Sequence, residues 1–273
     1  MKKKSLYAIP TWNCNLNCPH CFIKDKSEIF NRDKFIEELN KFDGRISLFG
    51  GEVTSNLDRM FDIINSNKEN GVSKISGITT NLIILNNDLI NLYKEFGSIG
   101  TSWNPNRFNH NEYEIWLKNC KIISDNGIKY TILITLTDDL FNIPIKEFID
   151  MIKTWDTDNL KQLKFEHYVG KEATPEYFKR ADKWLCELYK IWDTNINLEI
   201  EHRVCHWNYD CDNIYTLLPD GSLINQCPHM SKKYVPSECY ICDRVEKCRP
   251  CRLQKYCSYP REFANMVINN KGL

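Results

Sequence analysis

The chain is organised around thirteen consecutive residues near its start, Thr11-Trp12-Asn13-Cys14-Asn15-Leu16-Asn17-Cys18-Pro19-His20-Cys21-Phe22-Ile23. We call this stretch the cysteine loop. Its three cysteines follow the spacing CxxxCxxC. Iron–sulfur clusters and zinc sites usually take four protein ligands, so three thiolates leave one coordination position open for another molecule. Such a site carries chemistry, whereas a closed four-ligand site is structural. Zinc with His20 as fourth ligand is the alternative, but between Pro19 and Cys21 its side chain should diverge from the thiols.

A second motif follows the next predicted strand. The apolar run Ile46-Ser47-Leu48-Phe49 leads directly into Gly50-Gly51-Glu52, the GGE turn. Glycines at a strand end let the backbone approach a ligand closely, and a carboxylate can accept hydrogen bonds from an ammonium group. With CxxxCxxC one βα unit upstream, the pair of motifs resembles the radical S-adenosylmethionine (radical SAM) superfamily.

The resemblance implies both cofactors and their ligands. Cys14, Cys18 and Cys21 would hold a 4Fe-4S cluster whose open iron binds the amino and carboxylate groups of SAM. Reductive cleavage of SAM would then give a 5′-deoxyadenosyl radical that abstracts a hydrogen atom from the substrate. The other SAM-contacting residues would be Phe22 near the adenine, Gly50, Gly51 and Glu52 at the methionine ammonium, and the polar residues Thr80, Asn81 and Ser102. For Asn81, capping of a turn is an equally good interpretation.

Composition limits the partners and the compartment. The chain has 273 residues with 36 basic and 36 acidic side chains, so its balanced charge indicates neither a nucleic-acid nor an anionic-membrane partner. We find no apolar run of the roughly 20 residues that a membrane helix needs, and no signal-peptide pattern. A cytoplasmic location is therefore expected, where 13 cysteines bind metal rather than form disulfides.

The first 198 residues alternate between strand and helix patterns. Six successive βα units predict an α/β fold, a partial (β/α)6 TIM-like barrel with helices outside a parallel sheet. The predicted strands are 6–11, 45–49, 72–80, 99–103, 129–137 and 161–169, and the predicted helices are 32–42, 56–70, 86–96, 111–126, 144–155 and 175–193.

Ligands of such a barrel bind where the strands end. At the end of the sixth strand, only one of Glu166 and His167 can point inward, and we favour Glu166 as a substrate acid–base group. Trp103 is expected to be a core residue rather than a stacking platform. Cys120 and Cys186 lie on amphipathic helices, which predicts packing roles.

Residues 199–273 differ in character and are predicted to form a second, cysteine-rich domain. They hold eight cysteines and few long apolar periodicities, so metal sites would have to supply cross-links. Two four-cysteine sites are expected, and rubredoxin-like or zinc-ribbon sites fit the same spacings.

This segment resembles the SPASM extension of radical SAM peptide-modifying enzymes, which carries two auxiliary 4Fe-4S clusters around a β-hairpin. Residues 215–218 and 222–225 would form that hairpin. The resemblance assigns Cys205, Cys211, Cys227 and Cys251 to the cluster nearer the substrate, and Cys239, Cys242, Cys248 and Cys257 to the outer one. The spacings after Gly221 and between Cys248 and Cys251 depart from the usual pattern, which weakens this division. His229 replaces the Asp base of sulfatase-maturing relatives as a candidate proton acceptor.

The expected substrate is a ribosomally made peptide, to be crosslinked, epimerised or oxidised, with the auxiliary clusters transferring electrons. Only thirteen residues precede Cys14, so we expect no leader-binding domain before the barrel. The peptide would then bind directly or be presented by a separate leader-peptide-binding protein. The electron donor would be a flavodoxin or a ferredoxin. The alternatives are a small-molecule dehydrogenase acting on an aminocyclitol or amino sugar, and a non-catalytic iron–sulfur carrier or scaffold.

Overall fold

A computed structural model describes residues 4–21, 23, 25–155, 158–167, 175–200 and 213–225. Within these residues, nine strands form one sheet in the order β7-β6-β5-β4-β3-β2-β1-β8-β9. All neighbours from β7 to β8 are parallel, and β9 is antiparallel to β8. The strands are β1 (Ser5–Ala8), β2 (Arg45–Leu48), β3 (Ile75–Thr80), β4 (Ser98–Ser102), β5 (Lys129–Leu136), β6 (Leu160–His167), β7 (Asn197–Ile200), β8 (Ile214–Leu217) and β9 (Leu223–Ile224).

Helices connect the successive parallel strands from β1 to β7. They are α1 (Arg32–Lys41), α2 (Leu57–Asn70), α3 (Asn87–Phe96), α4 (His110–Asp125), α5 (Asp138–Phe141), α6 (Ile145–Lys153) and α7 (Pro175–Ile191), with a 3₁₀ turn at Val53–Ser55. This parallel sheet with crossover helices is the mixed α/β architecture expected of a partial barrel.

The two faces of the sheet differ in the side chains that they carry. On β5, the alternate residues Tyr130, Ile132, Ile134 and Leu136 are at most 1% exposed and belong to the main hydrophobic core. The residues between them are only half-buried. One face therefore packs against helices, and the other, the inner face, lies open.

Small and polar side chains keep the inner face open. The strand register places Thr79, Gly100, Thr131 and Gln162 in one row across β3 to β6. A closed TIM barrel fills its centre with bulky branched side chains, whereas these residues leave a concave space.

Most predicted elements are confirmed, with ends that differ by up to three residues. The first strand stops at Ala8 instead of Thr11, because residues 10–13 bond to segments outside the sheet. The third strand begins at Ile75, because the Asn67 side chain accepts a hydrogen bond from the Ile75 N–H and caps the preceding turn. The sequence pattern missed β7, the one-turn helix α5 and the 3₁₀ turn.

The predicted hairpin is confirmed as β8 and β9, but its place in the sheet was not foreseen. β8 pairs in parallel with β1, the strand that leads into the cysteine loop. β7 spans residues 197–200, across the predicted boundary between the two domains. The division at residue 198 remains a prediction.

Candidate functional site

The cysteine loop and the GGE turn lie against each other at the carboxyl ends of β1 and β2. The Gly51 N–H donates to the Thr11 carbonyl oxygen at 3.0 Å, and the Glu52 N–H donates to that of Asn13 at 2.7 Å. Two motifs that are separated in sequence thus form one hydrogen-bonded unit.

The glycines of the GGE turn are required by this contact. A Cβ on Gly51 would lie 2.1 Å from the Asn13 carbonyl oxygen, and a Cβ on Gly50 would lie 2.5 Å from that of Thr11. Gly50 also has a φ of 135°, which disfavours other residues. These glycines were expected to let the backbone approach a ligand closely. In the structure they let it approach the cysteine loop of the same chain.

The Glu52 carboxylate is buried, at 1% exposure, and is occupied by protein donors. Its Oε1 accepts hydrogen bonds from the Thr54 N–H (3.1 Å), the Thr54 hydroxyl (2.7 Å) and the Thr80 hydroxyl (2.8 Å). Its Oε2 accepts one from the Asn81 N–H at 2.5 Å. The side chain therefore joins the end of β2 to the end of β3. Burial of the neighbouring Tyr93 hydroxyl raises its pKa, and the negative charge of Glu52 raises this pKa further.

Asn81 connects this unit to the first cysteine. Its Nδ2 donates to Asn15 Oδ1 at 2.7 Å and lies 3.9 Å from Cys14 Sγ. Its Oδ1 accepts from the Ile83 N–H, so the turn-capping interpretation is observed. The proposed contact with SAM stays a prediction.

A pocket enclosing about 1250 Å³ of empty space, part of it open to solvent, lies in front of these residues. Its wall includes all of the predicted site residues within the described ranges: Cys14, Cys18, Cys21, Gly50, Gly51, Glu52, Thr80, Asn81, Ser102 and Glu166. Among the described residues, the carboxyl ends of six parallel strands, β1 to β6, thus meet at one cavity, as the strand-end argument predicts.

The three cysteines line this pocket as free thiols. Burial raises the pKa of Cys14, while a hydrogen bond from the Leu16 N–H opposes that shift. Burial likewise raises the pKa of Cys18, opposed chiefly by the charge of Arg107. The three thiols lie on one wall of the pocket. Thiolates are soft ligands of the kind that hold iron–sulfur clusters, so the donor set fits such a cluster. However, among the described residues no three His, Cys, Asp or Glu side chains converge as metal ligands do.

Glu166 is on the inner face, as the alternation of β6 predicts. It lies beside Thr135 on the neighbouring strand β5 and lines the pocket. Its Oε1 is 3.9 Å from Lys164 Nζ, two residues earlier on the same face. The pocket therefore has a carboxylate on the wall formed by β6.

Trp103, Cys120 and Cys186 have the packing roles that were expected. Trp103 is 5% exposed and contacts Phe148 and Trp155, away from the pocket. Cys120 and Cys186 are buried in the core beneath their helices.

Phe22, His229 and the eight cysteines from Cys205 to Cys257 lie outside the described residues. Their proposed roles remain predictions.

Sequence reasoning missed the Glu28–Arg59 ion pair behind the cysteine loop. Arg59 Nη1 lies 2.6 Å from Glu28 Oε1 and 3.0 Å from the Pro10 carbonyl oxygen. The two oxygens of Glu28 also accept hydrogen bonds from the Thr11 hydroxyl (3.0 Å) and the Trp12 N–H (2.5 Å). No local pattern marks these residues, because the contacts join three distant segments.

Arg107 was also missed, and a sequence signal for it existed. It follows the end of β4 by five residues and lines the pocket. Extending the strand-end argument from Ser102 into the following loop would have included it.

Comparison with known proteins shows that the chain shares its fold with solved structures. No known protein family matches the sequence, and no curated protein does. Three crystal structures of Streptococcus suis SuiB match in three dimensions. The structure bound to S-adenosylmethionine has a TM-score of 0.60 at 16% identity, covering 84% of this chain and 61% of SuiB. The structure bound to the precursor peptide SuiA has a TM-score of 0.61 at 14% identity, covering 84% and 60%.

The third SuiB structure has a TM-score of 0.58 at 16% identity, covering 84% of this chain and 61% of SuiB. The chain thus spans about three fifths of the SuiB length. Among the described helices, none has the length and apolar character needed to span a bilayer. The chain shares its fold with SuiB, a protein captured with S-adenosylmethionine and with a precursor peptide.

Proposed function

We propose that the chain is a radical SAM enzyme that modifies a ribosomally made peptide. The observation that carries the proposal is the hydrogen-bonded unit of cysteine loop and GGE turn at the mouth of one pocket. Neither motif alone is specific. Joined at the carboxyl edge of a parallel sheet, they form the kind of site that the sequence resemblance implies.

In this proposal Cys14, Cys18 and Cys21 hold a 4Fe-4S cluster, and SAM binds in the adjoining pocket. When bound, these groups supply reductive cleavage of SAM to a 5′-deoxyadenosyl radical, which removes a hydrogen atom from the substrate. The chain's own residues would bind SAM and the substrate and orient them. The main-chain carbonyls of Gly50 and Gly51 would accept an ammonium group, since the Glu52 carboxylate already accepts four hydrogen bonds and the Glu52 carbonyl accepts two from Ser55.

The substrate would occupy the inner face of the sheet. Glu166, beside Thr135, would hold or accept a proton there, and Ser102 would supply a polar contact on the wall formed by β4. Support for a peptide comes from the shared fold with SuiB, which was crystallised with its precursor peptide. An open concave face of Gly, Ser and Thr residues also leaves room for a bulky substrate.

The remaining assignments rest on the sequence resemblance. The cysteines from Cys205 onward would hold two auxiliary clusters in a SPASM-type extension, and these would transfer electrons after hydrogen abstraction. Phe22 would lie beside the adenine and His229 would accept a proton. A flavodoxin or ferredoxin would supply the electron.

Incubation with reductant, SAM and peptides encoded beside the gene tests the proposal. We expect 5′-deoxyadenosine and a change in peptide mass. A product formed only with an amino sugar would show that the substrate is a small molecule and not a peptide. If no substrate mixture gives 5′-deoxyadenosine, the chain is an iron–sulfur carrier instead.

A further inference from the structure

The turn that follows β3 holds a leucine in a strained backbone conformation. Leu82 is fully buried and has a φ of 60°, in the left-handed region that leucine rarely adopts. Such strain persists only where the surrounding structure fixes it, and strained residues are concentrated at functional sites. Leu82 directly follows Asn81, which lines the cysteine pocket. The strain therefore lies next to a side chain of the pocket.

Hydrogen bonds hold this turn from two sides. The Leu82 N–H donates to the Thr80 hydroxyl at 3.0 Å, and this hydroxyl donates to Glu52 Oε1 at 2.8 Å. From α4, Asn119 Nδ2 donates to the Leu82 carbonyl oxygen at 2.8 Å and to that of Ile83 at 3.3 Å. The Asn119 side chain belongs to the buried layer between α4 and the sheet, since the residue is 7% exposed. A buried amide on a helix thus fixes the turn that carries Asn81.

The turn presents the Asn81 amide to the first cysteine. Asn81 Nδ2 donates to Asn15 Oδ1 at 2.7 Å and lies 3.9 Å from Cys14 Sγ, within hydrogen-bond reach of a sulfur atom. An amide nitrogen has two hydrogens, so the second is available to the sulfur. Asn81 is 2% exposed, and a hydrogen bond shielded from water is electrostatically stronger than one in water.

The sulfur atoms of the cysteine loop have unequal surroundings. The Leu16 N–H also donates to Cys14 Sγ, at 3.4 Å. Cys21 packs instead against the apolar cluster of Ile9, Trp12 and Ile23. Among the described residues, Asn81 is the one whose side chain donates to a cysteine of the loop. The donors are therefore concentrated on Cys14.

We propose that Asn81 donates an N–H···S hydrogen bond to Cys14 when this sulfur binds the cluster, and that the bond raises the reduction potential of the cluster. This inference rests on the proposed function. Reduction adds one electron from the donor protein, and no covalent bond of the chain forms or breaks. A donor beside the sulfur stabilises the added negative charge, and hydrogen bonds to the sulfurs are one means by which proteins set these potentials. Asn119 is a positioning residue here, because it acts through the turn that carries Asn81.

The experiment is an anaerobic potentiometric titration of reconstituted full-length protein without SAM, followed by electron paramagnetic resonance. The signal of this cluster is the one that is absent when Cys14, Cys18 and Cys21 are replaced by Ser. We expect Asn81→Leu to lower the ratio of reduced to oxidised cluster at a fixed potential roughly tenfold, about 59 mV for one electron. Asn81→Asp keeps the acceptor for the Ile83 N–H. It should lower the ratio further, because a negative charge replaces the donor.

Two variants on α4 and its end separate positioning from a general loss of stability. Asn119→Leu leaves Asn81 in place but frees the turn, and we expect a smaller shift of the potential in the same direction. Asn126→Leu is the matched control. It also removes a side-chain hydrogen bond to a carbonyl oxygen, that of Ile122, and should titrate as wild type.

Three results would overturn the inference. Wild-type potentials in Asn81→Leu and Asn119→Leu would show that the amide does not act on the sulfur. A shift in Asn81→Asp alone would show that only an added charge matters. An unchanged potential with a weaker affinity for SAM in equilibrium dialysis would assign Asn81 to SAM instead.

The remaining outcomes are also decided. If Asn81→Leu retains no cluster, Asn119→Leu decides the inference, since it keeps the Asn81 amide. If wild type itself takes up no cluster at the three cysteines, the proposed function fails. Failure of the inference alone leaves the wild-type cluster and its cleavage of SAM intact.

Discussion

Glu52 shows how a motif residue can have a role that its sequence context does not reveal. Its contact with a ligand ammonium stays a prediction, and within the protein the Glu52 carboxylate accepts hydrogen bonds from Thr54, Thr80 and the Asn81 N–H. Four donors around one buried carboxylate require its negative charge and both of its oxygens. Glu52 therefore positions the end of β3 at the pocket.

We expect Glu52→Gln to lower the free energy of unfolding of the cofactor-free protein by about 2 kcal/mol. The amide replaces one acceptor oxygen by a donor, which leaves a buried N–H or hydroxyl unsatisfied at a cost of roughly 1–3 kcal/mol. Urea denaturation followed by circular dichroism measures the change. The control is Glu69→Gln on the exposed face of α2, which should unfold at the wild-type midpoint. A wild-type midpoint for Glu52→Gln would show that the carboxylate is free for a ligand.

Gly51 provides a second test at the same scale. A Cβ there would lie 2.1 Å from the Asn13 carbonyl oxygen and 2.5 Å from that of Trp12. We expect Gly51→Ala to displace the cysteine loop and to reduce the iron retained after reconstitution several-fold. Gly77→Ala is the matched control, since its Cβ would meet only the Ser47 hydroxyl at 3.1 Å. Equal iron contents in the two variants would contradict the close packing of loop and turn.

Residue types and spacing were sufficient to predict that the three cysteines, the GGE turn and Glu166 line one pocket, while the roles of these residues stay predictions. They were insufficient for Glu28, Arg59 and Arg107. The partners of these residues come from segments far apart in sequence, so their pairing depends on tertiary structure and leaves no periodic signal.

At the scale of elements, the Glu28–Arg59 ion pair joins α2 to both ends of the cysteine loop. Glu28 follows the loop, and the atoms that it and Arg59 bind belong to Pro10, Thr11 and Trp12 before the first cysteine. The Glu28 side chain is 8% exposed and that of Arg59 is 23% exposed. A pair so shielded holds the loop before any metal binds.

We expect Glu28→Gln and Arg59→Gln to couple in a double-mutant cycle by about 1–2 kcal/mol, measured by urea denaturation. Each variant should also release iron from reconstituted protein to a chelator faster than wild type, because the cysteine loop loses its support. The control is the exposed Lys121–Asp125 pair, which has one contact between side chains, and whose coupling should be much smaller. Additive effects of Glu28→Gln and Arg59→Gln, with iron release at the wild-type rate, would contradict this role.

The elements that the sequence predicted well are those with strong local signals. α4 begins with a capping box between Asn109 and Glu112, and α3 ends at Gly97 in the left-handed conformation. By contrast, α5 has one turn, and β7 has four residues. Elements this short are specified mainly by their neighbours, and periodicity does not reveal them.

At the scale of the whole molecule, the hairpin of β8 and β9 completes the sheet next to the cysteine loop. Leu217 on β8 is fully buried, and its carbonyl oxygen accepts a hydrogen bond from the Ile9 N–H. The Asn31 N–H donates to the Pro219 carbonyl oxygen in the hairpin turn. β1 is thereby an interior strand, flanked by β2 and β8.

We expect Leu217→Ala to destabilise the full chain by about 2–4 kcal/mol, because it leaves a cavity between β8 and the core. Hydrogen exchange of the β1 amides should accelerate in this variant, while exchange in β5 changes less. Leu223→Ala on β9 is the control, since Leu223 is 39% exposed. Unchanged exchange in β1 would show that the hairpin does not stabilise the strand that precedes the cysteines.

The alternation of strands and helices predicted the parallel sheet and its inner face, because each βα unit is local. It did not predict that β8 joins β1, since the two strands lie at opposite ends of the described chain. The hairpin itself was predictable from Pro219, Asp220 and Gly221, where Gly221 has a φ of 80°. The strand that the hairpin would join was not predictable from these residues.

We propose that Cys14, Cys18 and Cys21 hold a cluster that cleaves SAM. The most direct measurement is 5′-deoxyadenosine formed from SAM by anaerobically reconstituted, dithionite-reduced protein, together with its electron paramagnetic resonance spectrum before and after SAM is added. We expect wild type to form 5′-deoxyadenosine and to show a cluster signal that SAM shifts, and we expect both to be lost in the variant carrying Ser at the three positions. A triple variant that still cleaves SAM, or a reduced wild-type signal that SAM leaves unchanged with no 5′-deoxyadenosine formed, would contradict it.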